Sequence, residues 1–190
     1  MKKILLLSLV GLIALSSSAQ EFPAIDKSPM DAAYFPPRAA FRAFAKTDEE
    51  KKANQPKIRV VYSRPQKNGR KVFGELEKFG AVWRLGANEA TEITFMQDVK
   101  IGDNKVKAGR YTMYAIPQAD SWEVHFSTDN DGWGHYAYKP EESMVTKIKV
   151  ETAKTESTVE AFSILFEEVD GGAHMIMAWD DTMVRLPIQF

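Results

Sequence analysis

The chain has 190 residues and no cysteine, with 25 basic side chains against 26 acidic ones and a net charge of −1. The lack of cysteine excludes disulfides, thiol catalysis and thiolate-bound metal. The balanced charge, with no basic stripe, excludes a nucleic-acid binder. A chain of this length suits one domain with a sizeable core.

Met1-Lys2-Lys3 is a short positive region, Ile4 to Leu15 is almost unbroken in its apolarity, and Ser17-Ser18-Ala19 supplies small residues. Together they read as a cleaved secretory signal over residues 1–19. The apolar run is shorter than the roughly 20 residues needed to span a bilayer. Cleavage would leave 23 basic and 26 acidic residues, a net charge of −3, in an exported chain with no transmembrane segment, periplasmic or extracellular. Residues 20–56 are expected to be extended or irregular. Within them, Arg38 to Ala53 is rich in Ala, Lys and Glu and is read as a short helix or an irregular stretch, with Phe41 and Phe44 on one face.

From Lys57 the pattern changes to period two, the mark of half-buried strands. Ile58, Val60 and Tyr62 alternate with Arg59, Val61 and Ser63. Ile93 with Phe95, the trio Trp122, Val124 and Phe126, and the pair Ile148 and Val150 repeat the pattern. Ile101 to Val106 contains a hairpin loop, and Arg110 to Ile116 follows as a strand. Met144 to Glu151 and Thr158 to Glu168 read as separate strands. Asp170-Gly171-Gly172 and Asp180-Asp181 read as turns around Met175, Met177 and Trp179. Pro187 sets the last strand at an edge or a bulge. Nine or ten such strands predict an all-β, antiparallel β-sandwich or jelly-roll-like single domain over residues 57–190, with a short N-terminal helix at most.

Tyr62-Ser63-Arg64-Pro65, Gly69-Arg70 with Phe73-Gly74, and Trp83-Arg84 with Gly86-Ala87-Asn88-Glu89-Ala90-Thr91 resemble a family of secreted bacterial proteins known as domain of unknown function 2911. Ala108-Gly109-Arg110-Tyr111 with Pro117, and Trp133-Gly134 with Tyr138, extend the resemblance. It implies export and a β-rich domain, and it carries no reaction, cofactor or catalytic residue.

Candidate site residues come from chemistry alone. If Phe79 to Leu85 is a strand, Trp83 and Arg84 face opposite ways. Gly86, free to take a positive φ, would end the strand and let Asn88 and Glu89 fold back beside Arg84. With Arg64 and Arg70 these residues make a polar cluster suited to a hydroxylated or carboxylated ligand. The competing expectation is a corner pin in which Arg84 and Glu89 pair. Trp133, inside Asp129-Asn130-Asp131-Gly132-Trp133-Gly134, would either stack on a sugar or plug the end of the sandwich. The same loop has oxygen ligands of the kind calcium takes but lacks the EF-hand spacing. His125, His135 and His174 lack the local spacing of a metal motif, so no metal and no cofactor is assigned. The leading reading is an exported, non-enzymatic binding module for a saccharide, peptide or cell-envelope partner. The alternative is an exported hydrolase with carboxylates assembled by the fold.

Overall fold

The computed structural model of the protein describes residues 21–190. The signal-like stretch 1–19 lies outside the described residues.

The described chain is all-β and antiparallel. Its strands are β1 (Met30–Phe35), β2 (Ile58–Ser63), β3 (Thr91–Phe95), β4 (Val99–Ile101), β5 (Asn104–Val106), β6 (Gly109–Pro117), β7 (Ser121–Ser127), β8 (Met144–Val169) and β9 (Gly172–Gln189). They form one nine-stranded sheet in the order β1-β2-β3-β6-β7-β8-β9-β4-β5. The period-two residues decide which face is inside. Ile58, Val60 and Tyr62, then Ile93 and Phe95, then Trp122, Val124 and Phe126 are all buried. Such burial contributes about 1.5 to 3 kcal/mol for each large apolar side chain.

The sheet curls until its inner face meets itself. Tyr62 lies edge-on to Phe162 at 5.7 Å, and Trp83 stacks on Trp179 at 5.9 Å. The segment after β2 pairs with β8, where Phe162 N–H donates to Pro65 O at 3.0 Å and Lys67 N–H to Glu160 O at 2.8 Å. The two layers of a sandwich are therefore joined by continuous strands. Bulging makes this possible, since added residues bend a strand and increase its twist. From Lys154 to Ser163 β8 advances nine residues while its partner β9 covers four, from Thr182 to Ala178.

Two turn and strand expectations are corrected by these long elements. Met144 to Glu151 and Thr158 to Glu168 are two parts of β8, and Asp180-Asp181 lies inside β9 rather than at a turn. Asp180 takes φ 57°. Its carboxylate receives Lys67 Nζ at 2.7 Å and the Val72 N–H at 3.2 Å, so a charge at mid-strand is satisfied by the segment that crosses it. Pro187 sits beyond the last β8 pair, Thr152 with Val184, and interrupts no bond to that strand.

Before residue 57 the chain is more ordered than its composition suggests. Met30–Phe35 pairs along its whole length with β2 as an edge strand. Arg38 to Ala53 resolves into a 3-10 helix, Ala39–Phe44, and helix α1, Asp48–Ala53. Helix α1 starts at Thr47, whose hydroxyl accepts from Glu50 N–H at 3.1 Å, while the Glu50 carboxylate accepts from Lys46 N–H at 2.8 Å. The Thr47 hydroxyl caps the first turn, and the Glu50 bond fastens the residue before the cap to the same turn. Phe41 and Phe44 are exposed and mark no core-facing stripe. The second short helix, α2 (Pro140–Ser143), begins on a proline at its first turn.

Candidate functional site

Strand β3 leaves β6 at Thr91, and Trp83 takes up the pairing two residues further along. Trp83 N–H donates to Ala115 O at 2.7 Å, and Ala115 N–H donates to Trp83 O at 2.8 Å. Trp83 shares the inner face of Ala115 and is buried among Phe73, Trp122, Phe162 and Trp179. Arg84 must therefore project to the outer face.

Between these two contacts the chain makes a pinched loop, Leu85 to Ala90. Thr91 N–H donates to Arg84 O at 3.1 Å, Thr91 Oγ1 to Leu85 O at 2.6 Å, and the Trp83 indole N–H to Gly86 O at 3.1 Å. The Ser63 hydroxyl grips Ala87 from both sides, donating to its carbonyl and accepting from its N–H. Gly86 takes the positive φ expected of it, 158°, and Leu85 and Asn88, which flank Gly86-Ala87, are also positive, at 53° and 60°. Glycine is required there for space, because a Cβ would lie 2.7 Å from Ser63 Oγ. Arg84 and Glu89 form no ion pair within 4 Å, and the corner is held by Ser63, Thr91 and Trp83 instead.

A second loop, running from Thr128 to Lys139, lies across the same outer face. It is fastened to the sheet by its polar residues. Arg110 grips Asp131 with two bonds of 2.8 and 2.7 Å and also reaches Glu92 at 3.3 Å. Thr112 Oγ1 donates to Asn130 at 3.1 Å, and the Asn130 amide donates to Arg110 O at 3.2 Å. The acidic loop is thus engaged with Arg110, and no metal-sized group of acidic and histidine side chains occurs among the described residues. Farther along, Tyr138 stacks on Tyr114 at 4.0 Å and meets His125 Nδ1 at 2.8 Å. His125 Nε2 lies 2.8 Å from Glu123, which also holds Lys147 at 3.1 Å. The His125 bond, then Lys147, keep the Glu123 carboxyl below its ordinary range despite partial burial. Burial pushes both Tyr114 and Tyr138 up to about 12. This network ties the loop down, with both nitrogens of the buried His125 occupied.

The two loops meet. Gly134 N–H donates to Asn88 O at 2.7 Å, Ala90 N–H to Gly132 O at 3.0 Å, and Glu89 opposes Trp133 in an antiparallel bridge. Opposed residues in such a bridge share a face. Glu89, Ala90, Glu92, Asp131 and Gly132, with Met30 and Val61, line a cleft of about 300 Å³ beside Trp133. Trp133 plugs nothing. It is 62% exposed and stacks on Tyr136, itself 73% exposed, at 5.9 Å and 22°. The His135 ring continues the stack on Tyr136 at 5.1 Å and 26°.

Of the six residues singled out from sequence, Glu89 lines the cleft, Asn88 and Trp133 are joined to it by the bonds between the two loops, Arg84 stands at the base of the first loop, and two lie elsewhere. Arg64 donates to Phe162 O at 3.2 Å, Ser163 Oγ at 2.8 Å and Asp31 at 3.0 Å, which clamps β1 and β2 to β8. Arg70 bonds to Lys67 O at 2.8 Å and Gln66 O at 2.6 Å within its own turn. Two further residues belong near Arg84. Burial pushes the Glu77 carboxyl up to about 7, with Arg84 and Arg70 pulling it the other way. Burial, then the charge of Arg84, push His135 down. The W-G-H-Y spacing of Trp133 to Tyr136 was a readable sign for His135, whereas nothing in the sequence marks Glu77.

No helix among the described residues is long and apolar enough to cross a membrane. No curated protein and no solved structure matches the chain. A family model described as "Protein of unknown function (DUF2911)" matches residues 45–188, so it covers both loops, the cleft apart from Met30 and all but the first of the strands, and the chain belongs to that family.

Proposed function

We propose that this is an exported, non-enzymatic binding protein whose ligand is a saccharide held on the outer face. The observation that carries this reading is the exposed Trp133–Tyr136 stack, whose Trp133 follows the cleft-lining Gly132 in the chain and opposes the cleft-lining Glu89. A rigid pair of aromatic faces beside polar side chains suits a sugar, which offers an apolar ring face and a hydroxyl fringe. Glu89 and Asn88 supply acceptors and donors at that fringe. A hydrolase is less well supported. Of the three cleft carboxylates, Glu92 and Asp131 are both tied to Arg110.

Trp133 is the sole exposed tryptophan of the four in the sequence. Intrinsic fluorescence should therefore change when sugar oligomers are titrated in. Trp133→Ala should weaken binding by about fivefold to tenfold, roughly the 1 to 1.4 kcal/mol of an aromatic stack, with little change in thermal midpoint. Unaltered affinity in that variant would remove the reading. Export rests on the charge and hydropathy pattern of residues 1–19. Mass spectrometry of the protein from its native host should find a chain beginning at Gln20. An intact N-terminus in a membrane fraction would mean an anchor.

A further inference from the structure

Arg84 is a cation held in place without a bonded counterion, although the Glu77 carboxyl feels its charge. Its backbone is fixed by the Trp83 pairing with Ala115 and by Thr91, and its side chain is half-buried on the outer face. The Nε–H is buried and has no hydrogen-bond partner. The other arginines singled out from sequence differ, because Arg64 and Arg70 have their donors engaged by carbonyls and Asp31, as Arg110 has by Glu92 and Asp131. A guanidinium cannot shed its proton to escape burial, so an unmatched one is costly unless something accepts from it.

The surroundings suggest what that acceptor is. His135 ends the ring stack that begins at Trp133, and its Nδ1 is a second buried nitrogen without a partner. Arg84 stands at the base of the first loop, where its carbonyl accepts from Thr91 N–H, and His135 follows Gly134, whose N–H bonds to Asn88 O, so the two unpartnered nitrogens belong to the two loops where these meet. A planar fork of donors at the end of an aromatic stack matches a planar carboxylate on a ring. We infer that the ligand is an acidic saccharide, its sugar ring lying on Trp133 and Tyr136 and its carboxylate taken by Arg84, with His135 bonding a neighbouring hydroxyl. This rests on the saccharide reading above and specifies its charge.

Calorimetric titration of the mature protein separates the two ideas. The probes are oligogalacturonate and glucuronate-containing oligomers, their neutral galactose and glucose counterparts of equal length, and a short acidic peptide. The wild type should bind the acidic sugars at least about tenfold more tightly than the neutral ones, a difference of about 1.4 kcal/mol. Arg84→Gln should remove that preference by bringing acidic-sugar affinity down to that of the neutral oligomers, and Arg84→Lys should restore part of it in a salt-sensitive way. If Arg84→Gln fails to fold, Arg84→Lys carries the test through loss of most of the preference. Equal binding of acidic and neutral sugars, or a preference that survives Arg84→Gln, overturns the carboxylate assignment and leaves the saccharide reading standing. If no sugar binds, or the peptide binds in preference, the saccharide reading falls and this inference falls with it.

Discussion

Asp180→Ala should cost about 3 to 5 kcal/mol in urea unfolding, because removing one partner of a buried ion pair strands the other. Lys67 and Asp180 are 2.7 Å apart with side chains only 18% and 12% exposed. The same carboxylate caps the buried Val72 N–H. Alanine would leave an ammonium and an amide unmatched, at a position whose φ of 57° alanine tolerates poorly. Asp180→Asn retains an acceptor for Val72 and a side chain at ease in that conformation, so it should cost about half as much. A double variant with Lys67→Met should recover part of the alanine loss. A loss under about 1 kcal/mol for Asp180→Ala would show that Lys67 reaches solvent instead.

Glu77→Gln should flatten one segment of the pH–stability curve. In the folded chain the Glu77 carboxyl holds its proton to about pH 7, against about 4.5 for an ordinary glutamate. Between those values the folded state binds more protons than the unfolded one, so stability falls as pH rises through the window. It is full below about 4.5 and at its lower plateau above about 7. At 1.36 kcal/mol per unit the gap sets a ceiling of about 3 kcal/mol, and the half-buried position of Glu77 brings the expected effect nearer 2. Glutamine has no proton to lose, so the variant should be more stable than wild type at pH 8 and comparable to it at pH 4. His135 works in the opposite sense, since its depressed value withdraws stability on acidification. The difference between wild type and variant cancels that contribution. Parallel curves for the two proteins from pH 4 to 8 would show that Glu77 ionises as in water.

The strands that could be read were those whose side chains decide their own faces. In β2 and β7 the alternation of large apolar and polar residues is close to complete, and either strand could be drawn from sequence alone. Strand β1, with the sequence Met-Asp-Ala-Ala-Tyr-Phe, has small residues where the signal should be strongest, and it is a strand because β2 offers it a free edge. Polar residues 152–158 and Asp180-Asp181 look like breaks. They are tolerated inside long strands because bulges absorb the former and Lys67 neutralises Asp180. The site shows the same division. Arg84, Asn88 and Glu89 are neighbours in the chain and were legible as a group. Their meeting with Trp133 depends on two loops chosen by the tertiary fold, and the elevated Glu77 depends on burial, which leaves no trace in composition. Arg64 illustrates the reverse error, since its planar fork clamps backbone and a carboxylate as readily as it would a ligand.

The passage of β8 from one layer to the other has a consequence for how the molecule fails. In a sandwich made of two separate sheets, the layers can part along the plane between them and open as distinct units. Here the covalent backbone of β8 crosses that plane, and β9 follows it. There is no seam along which one layer can peel away while the other keeps its ladder. Loss of order at the bulges between Lys154 and Ser163 would release both layers together, so melting is expected to be concerted, and a protease cutting within that stretch would disable the whole domain, outer-face loops included.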